Sequence, residues 1–333
     1  METNRAHIVV WELTRACKLS CTNCAIGALP RRAPMELSTY EAYKTIDQVV
    51  ALRPEELILT GGDPLERADI YQLIDYARRR GLRPSMMVSP TALLTGASVG
   101  KLKRNGLARL IVSVDSSTPD RHDSIRGAHG QFAATLLAIR WARTAALPVE
   151  VNTLVSHRNM GDLDSLASLL GDLGVERWSV YFVVPIGGSK HLETLSPEES
   201  ERVLERLQTM RTKVPFTIRT FEAPQYRQIE RMDTLFISHT GEVSISPFLP
   251  VTAGNIRYQP LSSLDRSSDL LIALRDDSNL KGKCGRCEYR RTCGGSRARA
   301  YAMTGDVFAA DPLCSYQPGT ATGTPLVDRG GAA

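Results

Sequence analysis

The chain lacks the features that mark membrane, secreted and repeat proteins. Within its 333 residues, no apolar run approaches the length of about 20 residues that a membrane-spanning helix needs. The N-terminal segment METNRAHIVVWELTR contains no apolar signal-peptide core, and no internal repeat of fixed period is present. These absences predict a soluble, cytoplasmic protein with no membrane partner.

The chain also lacks a strong excess of one charge. It carries 41 basic and 36 acidic residues, which gives a formal net charge of +5, and the basic residues are dispersed. So mild an excess does not predict nucleic-acid binding, whereas it suits a small anionic substrate. The length allows one large domain, or a main domain with an appendage.

The cysteines cannot all be paired with one another, because the chain has seven. Three lie within residues 17–24 and four within residues 284–314. Disulfides would leave one thiol over, whereas two metal clusters in a reducing compartment use all seven as three plus four. The cysteine count therefore favours metal binding.

The first group is Cys17, Cys21 and Cys24, in the run TRACKLSCTNC directly after the strand-like run HIVVWEL. Three thiolates at this spacing can hold three irons of a 4Fe–4S cluster and leave the fourth iron open to a small molecule. A zinc site that awaits a distant fourth ligand, or unliganded thiols, are alternatives that the spacing alone leaves open.

Residues 7–184 alternate between strand-like and helix-like segments, which predicts an α/β fold with a parallel sheet and right-handed crossovers. The predicted strands are residues 7–13, 56–60, 83–88, 108–115, 148–155 and 177–184, and the predicted helices between them are residues 38–51, 69–80, 97–105, 131–145 and 162–173. Ligands of such sheets gather at the carboxyl ends of the strands, which is where the first cysteine group lies.

The second predicted strand ends in Thr60-Gly61-Gly62-Asp63-Pro64. A glycine pair after a strand lets the backbone approach a neighbour closely. Together with the C-x3-C-x2-C loop on the preceding strand, this run resembles the radical S-adenosylmethionine (SAM) superfamily. The resemblance implies a partial (β/α)6 TIM-like barrel, a 4Fe–4S cluster on Cys17, Cys21 and Cys24, and contacts from Gly61, Gly62 and Asp63 to the SAM amine. Asp63 replaces the usual Glu, and Asn23 stands where an aromatic residue is common.

Three further residues match SAM contacts of the superfamily. The resemblance implies that Ser113 and Asn152, at the ends of the fourth and fifth strands, bond the ribose or the carboxylate of SAM. It also implies that Arg126 pairs with the methionine carboxylate. A turn cap or a surface position is the alternative for each of them.

The second cysteine group reads C-x2-C-x5-C-x20-C and resembles the SPASM/Twitch auxiliary-cluster extension of these enzymes. Ser296 stands where that extension often has another cysteine, and the segment GEVSISPFLPVTAGNIR has none. The resemblance therefore implies one auxiliary 4Fe–4S cluster, held by Cys284, Cys287, Cys293 and Cys314. Four cysteines also permit a structural zinc site.

The predicted domains follow from these motifs: a radical SAM partial barrel over residues 1–184, a connector with one helix over 185–232, an auxiliary 4Fe–4S domain over 233–315 and a disordered tail over 316–333. The tail prediction rests on its Gly/Ala/Thr-rich composition.

The implied activity is reductive cleavage of SAM to a 5′-deoxyadenosyl radical, which abstracts a hydrogen atom from the substrate. The runs WELTRAC, TGGDPLER and CGGSRARAYAMTGD resemble enzymes that tailor haem side chains and their relatives. The first prediction within this group is decarboxylation of cytosylglucuronic acid, as in blasticidin-type antibiotic biosynthesis. The alternatives are a ribosomal-peptide maturase and a haem-precursor side-chain tailoring enzyme. An iron–sulfur electron carrier would explain the cysteines but not the GGDP loop.

A flavodoxin- or ferredoxin-type protein is the expected electron donor, and no catalytic side chain is predicted. The candidate cations for a substrate carboxylate are Arg31, Arg32, Lys190 and Arg219.

Overall fold

The computed structural model describes residues 7–192, 194–224 and 233–319. Its strands are β1 (His7–Glu12), β2 (Glu56–Thr60), β3 (Pro84–Met87), β4 (Arg109–Ser113), β5 (Val149–Val155), β6 (Arg177–Phe182), β7 (Thr217–Phe221), β8 (Asp233–Ile237), β9 (Glu242–Ser244) and β10 (Gly254–Asn255). The predicted α/β fold is confirmed, and all six predicted strands are present.

The strands form one sheet in the order β10-β9-β8-β1-β2-β3-β4-β5-β6-β7. Neighbours from β1 to β7 are parallel, and β8 is parallel to β1 on its other side. The short strand β9 pairs antiparallel with β8 on one side and with β10 on the other. The carboxyl ends of eight strands therefore share one edge, which is where ligands collect in sheets of this type.

Helices connect the parallel strands and cover the outer face of the sheet. They are α1 (Thr39–Leu52), α2 (Ile70–Arg79), α3 (Gly96–Arg104), α4 (Pro119–Arg126), α5 (Gln131–Thr144), α6 (Leu163–Leu173), α7 (Pro197–Arg211), α8 (Leu261–Ser267), α9 (Asp269–Arg275), α10 (Gly282–Arg286) and α11 (Arg297–Thr304). Ser38 and Ser196 begin α1 and α7 with capping boxes, which satisfy the first free N–H groups of each helix.

The two faces of the strands separate core from cavity. In β1, Val9 and Trp11 are fully buried in the hydrophobic core beneath the helices, whereas the alternating residues Ile8, Val10 and Glu12 line a cavity. The other parallel strands alternate in the same way because successive strand side chains point to opposite faces. Each inward position near a carboxyl end is thus a candidate ligand contact.

Four strands differ from the sequence prediction. β7 lies inside the predicted connector and extends the parallel sheet by one strand. β8 to β10 lie in the region predicted as the auxiliary 4Fe–4S domain, where no strand was predicted, and they extend the sheet beyond β1. Part of the predicted tail is ordered, because the Tyr316 ring packs edge-on against Tyr289. Residues 225–232 and 320–333 of the predicted connector and tail lie outside the described residues.

Among the described helices, none combines the length and the apolar character that crossing a membrane requires.

Candidate functional site

The first cysteine group lies on the loop that leaves the carboxyl end of β1. Cys17, Cys21 and Cys24 line one cavity of about 330 Å³, together with the inward residues of the parallel strands. None of the three forms a disulfide. The structure therefore brings together the three thiols that the sequence predicts as cluster ligands.

The glycine pair after β2 holds this loop from one side. Gly62 N–H donates to Thr14 O at 2.8 Å, and a Cβ on Gly62 would lie 2.3 Å from Ala16 O. A Cβ on Gly61 would lie 2.4 Å from Thr14 O. Only glycine permits so close an approach of two backbones. The pair therefore fixes the cysteine loop as well as lining the cavity.

A second glycine pair, after β6, holds the loop from the other side. Gly188 N–H donates to Cys24 O at 3.0 Å, and a Cβ on Gly187 would lie 2.2 Å from Ala25 O. Ser189 Oγ donates to Asn23 O at 3.2 Å. This contact was not predicted, although a glycine pair two residues beyond a predicted strand is similar to the pattern seen after β2.

The burial of the three thiols is more typical of metal ligands than of exposed nucleophiles. Burial raises the pKa of Cys17 and of Cys21, and negative charge on Cys24 adds to the increase at both thiols. The Leu19 N–H lies 3.4 Å from Cys17 Sγ, as a donor to a thiolate would. Thiolates gathered in a buried place need a cation to compensate their charge, which a metal cluster supplies.

The donor geometry bears on the choice between zinc and iron–sulfur. Within the part of the chain that the structure describes, no three Cys, His, Asp or Glu side chains converge on one metal ion. Zinc needs thiolates about 2.3 Å from a single point. A four-iron cluster takes each thiolate on a separate iron, so the two kinds of site differ in the spacing that they require of the sulfurs.

Five of the six predicted SAM contacts line the same cavity as the cysteines. They are Gly61, Gly62, Ser113, Arg126 and Asn152. Among the described residues, Asn152 Oδ1 and Arg126 Nε are buried without a hydrogen-bond partner. Because buried polar atoms rarely stay unpaired, these two atoms fit contacts to a polar ligand such as SAM.

Asp63 is placed differently from the other five. Its side chain is fully buried and does not line the cavity. Its carboxylate accepts from Leu65 N–H at 3.0 Å and from Thr91 Oγ1 at 2.6 Å. The side chain therefore shapes the loop, and any contact from Asp63 to the SAM amine would come from its backbone.

Aromatic side chains line the cavity on β6, on β7, on β8 and in the loop after β9. Tyr181 and Phe221 stack with ring centroids 4.7 Å apart and an interplanar angle of 12°. Phe236 and Phe248 line the same cavity. Such a wall gives a flat, apolar ligand an extended surface to lie on.

Charged side chains line the cavity near the amino ends of the strands. Arg177 Nη1 lies 3.0 Å from Glu150 Oε2 and 3.6 Å from Glu56 Oε2. Arg219 lies beside this group, and burial together with the nearby Arg177 lowers its pKa. Of the four candidate cations named from the sequence, Arg219 lines the cavity, whereas Arg31, Arg32 and Lys190 are exposed.

The second cysteine group also comes together in space. Cys284, Cys287, Cys293 and Cys314 line one small pocket with Tyr289, Arg290 and Tyr316. The Asp311 N–H lies 3.4 Å from Cys284 Sγ, and the Gly295 N–H lies 3.4 Å from Cys293 Sγ. Burial raises the pKa of Cys314 to about 11. Cys284 is buried and the other three are partly buried, and four thiols gathered in this way, two of them with N–H donors, suit a metal centre.

Glu222 connects the main cavity to the segment that carries the second cysteine group. Its side chain lines the main cavity, and it accepts from Ser246 Oγ at 3.1 Å and from Ser296 Oγ. Its backbone has a left-handed φ of +51°, a strained state that persists where the surroundings hold it. Ser296 was singled out in the sequence as a replaced cysteine, but its partner was not predicted.

Three comparisons give this site its context. A sequence model of the radical SAM superfamily matches residues 11–170. An AdoMet-dependent heme synthase of Methanosarcina barkeri (strain Fusaro) is 36% identical, covering 95% of this chain and 98% of that protein. A PqqA peptide cyclase of Rhizobium meliloti is 29% identical, with coverages of 92% and 86%.

The crystal structure of Streptococcus suis SuiB bound to S-adenosylmethionine superposes with a TM-score of 0.75. The match covers 94% of this chain and 77% of that chain at 14% sequence identity, so it establishes a shared fold.

Proposed function

The chain belongs to the radical SAM superfamily, and from this premise we propose that it tailors a carboxylate-bearing side chain of a haem precursor. The observation that carries the proposal is the cavity, in which aromatic rings and partly buried guanidinium groups share one space with the three cysteines of the loop. The similarity to the haem synthase extends over nearly the full length of both chains.

The aromatic wall suits a flat macrocycle. The stacked pair of Tyr181 and Phe221 on β6 and β7, the ring of Phe236 on β8 and the ring of Phe248 in the loop after β9 all supply apolar surface to the cavity. Aromatic and aliphatic linings of this kind bind apolar ligands, while a few polar groups orient them. A tetrapyrrole ring matches such a surface more closely than a sugar does.

The guanidinium groups suit the carboxylates of its side chains. Arg177 and Arg219 line the cavity from β6 and β7, the strands that also carry Tyr181 and Phe221. In a site shielded from water, a guanidinium binds a carboxylate with charge-assisted hydrogen bonds. These two residues are therefore the proposed anchors for side-chain carboxylates.

The loop of Cys17, Cys21 and Cys24 is the proposed holder of the SAM-binding 4Fe–4S cluster, and Gly61, Gly62, Ser113, Arg126 and Asn152 are proposed to hold SAM. With these groups bound, the site supplies a 5′-deoxyadenosyl radical. The work of this chain is to keep the substrate carbon at near-attack distance and to exclude water.

The proposed reaction is a radical decarboxylation. Removal of a hydrogen atom from the carbon next to the carboxylate-bearing carbon weakens the bond to the carboxylate. Carbon dioxide then leaves, a double bond forms, and one electron must be taken up by an acceptor. An auxiliary 4Fe–4S cluster on Cys284, Cys287, Cys293 and Cys314 would supply one-electron chemistry beside this cavity.

The haem-precursor substrate replaces cytosylglucuronic acid, the first sequence-based prediction, as the preferred one. The full-length similarity to a haem synthase favours the alternative. The flat aromatic wall favours it as well. A flavodoxin- or ferredoxin-type donor and a cytoplasmic location stay predictions from the sequence.

The test is anaerobic turnover of the reconstituted protein with SAM and dithionite. Iron coproporphyrin III, an iron porphyrin with propionate side chains, is the first substrate, and cytosylglucuronic acid is run in parallel. The proposal expects loss of carbon dioxide from the porphyrin by mass spectrometry. Decarboxylation of the nucleoside alone would overturn it.

A further inference from the structure

Glu12 lies where the main cavity meets the turn that supports the first cysteine loop. It is the last residue of β1, and its side chain lines the cavity. Its Cα is paired with that of Thr60, the last residue of β2, and Leu13 N–H donates to Thr60 O at 2.8 Å. Gly61 and Gly62 follow Thr60 directly. A carboxylate therefore lies beside the glycine pair that holds the loop.

The Glu12 carboxylate is held through one of its two oxygens. Arg15 Nε donates to Glu12 Oε1 at 3.1 Å, and His239 Nδ1 lies 2.9 Å from the same oxygen. These contacts fix the position of the carboxylate. Among the residues that the structure describes, none donates a hydrogen bond to Glu12 Oε2. Oε2 is therefore the oxygen that a ligand of the cavity can use.

Two other carboxylates of the cavity are engaged by arginines near the amino ends of the strands. Glu56 Oε1 accepts from Arg109 Nη1 at 2.5 Å, and Arg177 Nη1 lies 3.6 Å from Glu56 Oε2. Glu150 Oε1 accepts from Ser179 Oγ at 2.6 Å, and Glu150 Oε2 accepts from Arg177 Nη1 at 3.0 Å. Both oxygens of each group thus already have a partner in the protein.

The fourth carboxylate of the cavity and that of Asp63 are engaged as well. Glu222 Oε1 accepts from Ser246 Oγ at 3.1 Å, and Glu222 Oε2 accepts from Ser296 Oγ. The Asp63 carboxylate has donors to both of its oxygens and does not line the cavity. Of the four carboxylates that line the cavity in the described part of the chain, Glu12 is the one with an oxygen that lacks a donor.

We propose that Glu12 Oε2 accepts a hydrogen bond from the SAM amine, a contact that the buried Asp63 side chain does not make. The methionine end of SAM carries both an amine and a carboxylate. Arg126 lines the cavity and is the proposed partner of the carboxylate. Glu12 is the complementary partner for the amine, and hydrogen bonds to an ionised carboxylate are roughly twice as strong as neutral ones.

The proposed substrate does not compete for this position. A haem precursor such as iron coproporphyrin III carries carboxylates and no amine. Glu12 repels a carboxylate, whereas Arg177 and Arg219 attract one from β6 and β7. Glu12 therefore favours SAM beside the glycine pair and disfavours substrate carboxylates there.

The inference rests on the proposed SAM site and not on the haem-precursor substrate. It is tested by the affinity of anaerobically reconstituted protein for SAM and for the deaminated analogue of SAM, in which hydrogen replaces the amine. Equilibrium dialysis gives both affinities, and their ratio isolates the contribution of the amine. The wild-type protein should bind SAM more tightly than the analogue. Equal affinities would overturn the inference alone, whereas binding of neither compound would overturn the SAM site with it.

Glu12→Gln should lower this ratio about tenfold, because the amide lacks the charge of the carboxylate. The iron content should stay unchanged, because Glu12 is not a proposed cluster ligand. Glu222→Gln is the matched control, since Glu222 also lines the cavity but has a donor to each oxygen. Asp63→Asn is the second control. Even if it weakens binding of both compounds by disturbing its loop, their ratio should remain that of the wild type.

A wild-type ratio in Glu12→Gln would overturn the inference, and a lowered ratio in Asp63→Asn alone would assign the amine to Asp63. If Glu12→Gln does not load iron, Glu12→Asp decides. This variant keeps the charge and shortens the side chain by one methylene, so its ratio should also fall. A wild-type ratio in Glu12→Asp would then contradict the proposed contact.

Discussion

Arg299 and Asp311 form a completely buried ion pair between the second cysteine site and the main cavity. Arg299 Nε lies 2.9 Å from Asp311 Oδ1, and Arg299 Nη2 lies 2.7 Å from Asp311 Oδ2. Asp311 contacts Cys284 through its N–H, and Arg299 donates to the backbone oxygen of Glu222. The pair thus ties a predicted cluster ligand to the cavity wall.

Replacing Arg299 by Met should therefore disrupt the second cysteine site. Removing one partner of a buried pair leaves an uncompensated charge and destabilises by about 3–5 kcal/mol. We expect the reconstituted protein to lose about half of its iron, since one of two clusters is affected. Iron analysis checks this, with the exposed Arg286→Gln as control. Full iron content in Arg299→Met would contradict it.

Gly62→Ala should loosen the first cysteine loop. The added Cβ would lie 2.3 Å from Ala16 O and 2.6 Å from Arg15 O, so one backbone must move. Overpacking of this kind costs about 1–3 kcal/mol. Urea unfolding measures the change. Gly171→Ala is the matched control, because Gly171 lies in α6 with open space around it; equal stability of the two variants would refute the role of the close approach.

Asn152→Ala should weaken SAM binding without loss of iron. Asn152 Oδ1 is buried in the cavity, and the described residues offer it no hydrogen-bond partner. Loss of one hydrogen bond to the ligand, about 1.4 kcal/mol, corresponds to roughly a tenfold weaker affinity. Equilibrium dialysis of SAM against reconstituted protein gives the affinity. Asn105 does not line the cavity, so Asn105→Ala should bind like the wild type, and an unchanged affinity in Asn152→Ala would exclude the contact.

Acidification should destabilise the native state through His122. Burial is the main cause that lowers the pKa of His122 to about 4, from an ordinary value of 6.5, and its Nδ1 accepts from Asp115 N–H. Below pH 6.5 the unfolded chain binds a proton that the native state refuses until about pH 4. The contribution is intact above pH 6.5 and is lost as the pH falls to 4, amounting to about 3 kcal/mol.

Urea titrations of the metal-free protein between these pH values measure this dependence. His122→Gln cannot titrate, so its free energy of unfolding should fall less steeply over the same range. Parallel curves for the two proteins would show that His122 does not carry the effect.

The sequence was informative where signals are local. The sequence predicted the helices that begin with capping boxes at Ser38 and Ser196 and the strands with long apolar runs. The spacing of the cysteines indicated the loops on which they lie. The short strands β7 to β10 were missed because their stability comes from pairing with distant strands, as when β8 pairs with β1. Local propensity carries little of that information.

The sequence indicated the candidate ligand residues of the site but not the residues that hold their loops in place. The Gly187–Gly188 contact and the Glu222–Ser296 hydrogen bond join residues far apart in the chain, so no spacing in the sequence reveals them. Asp63 shows the converse: its place in a motif predicted a ligand contact, while the fold uses its carboxylate to cap the turn over residues 64–66.

Deuterium transfer tests the proposed function most directly. Iron coproporphyrin III deuterated on the side-chain carbons next to the carboxylate-bearing carbons is turned over anaerobically with SAM and dithionite, and the 5′-deoxyadenosine is analysed by mass spectrometry. The proposal predicts deuterium in the 5′-deoxyadenosine together with a decarboxylated porphyrin. Unlabelled 5′-deoxyadenosine beside an unchanged porphyrin would contradict it.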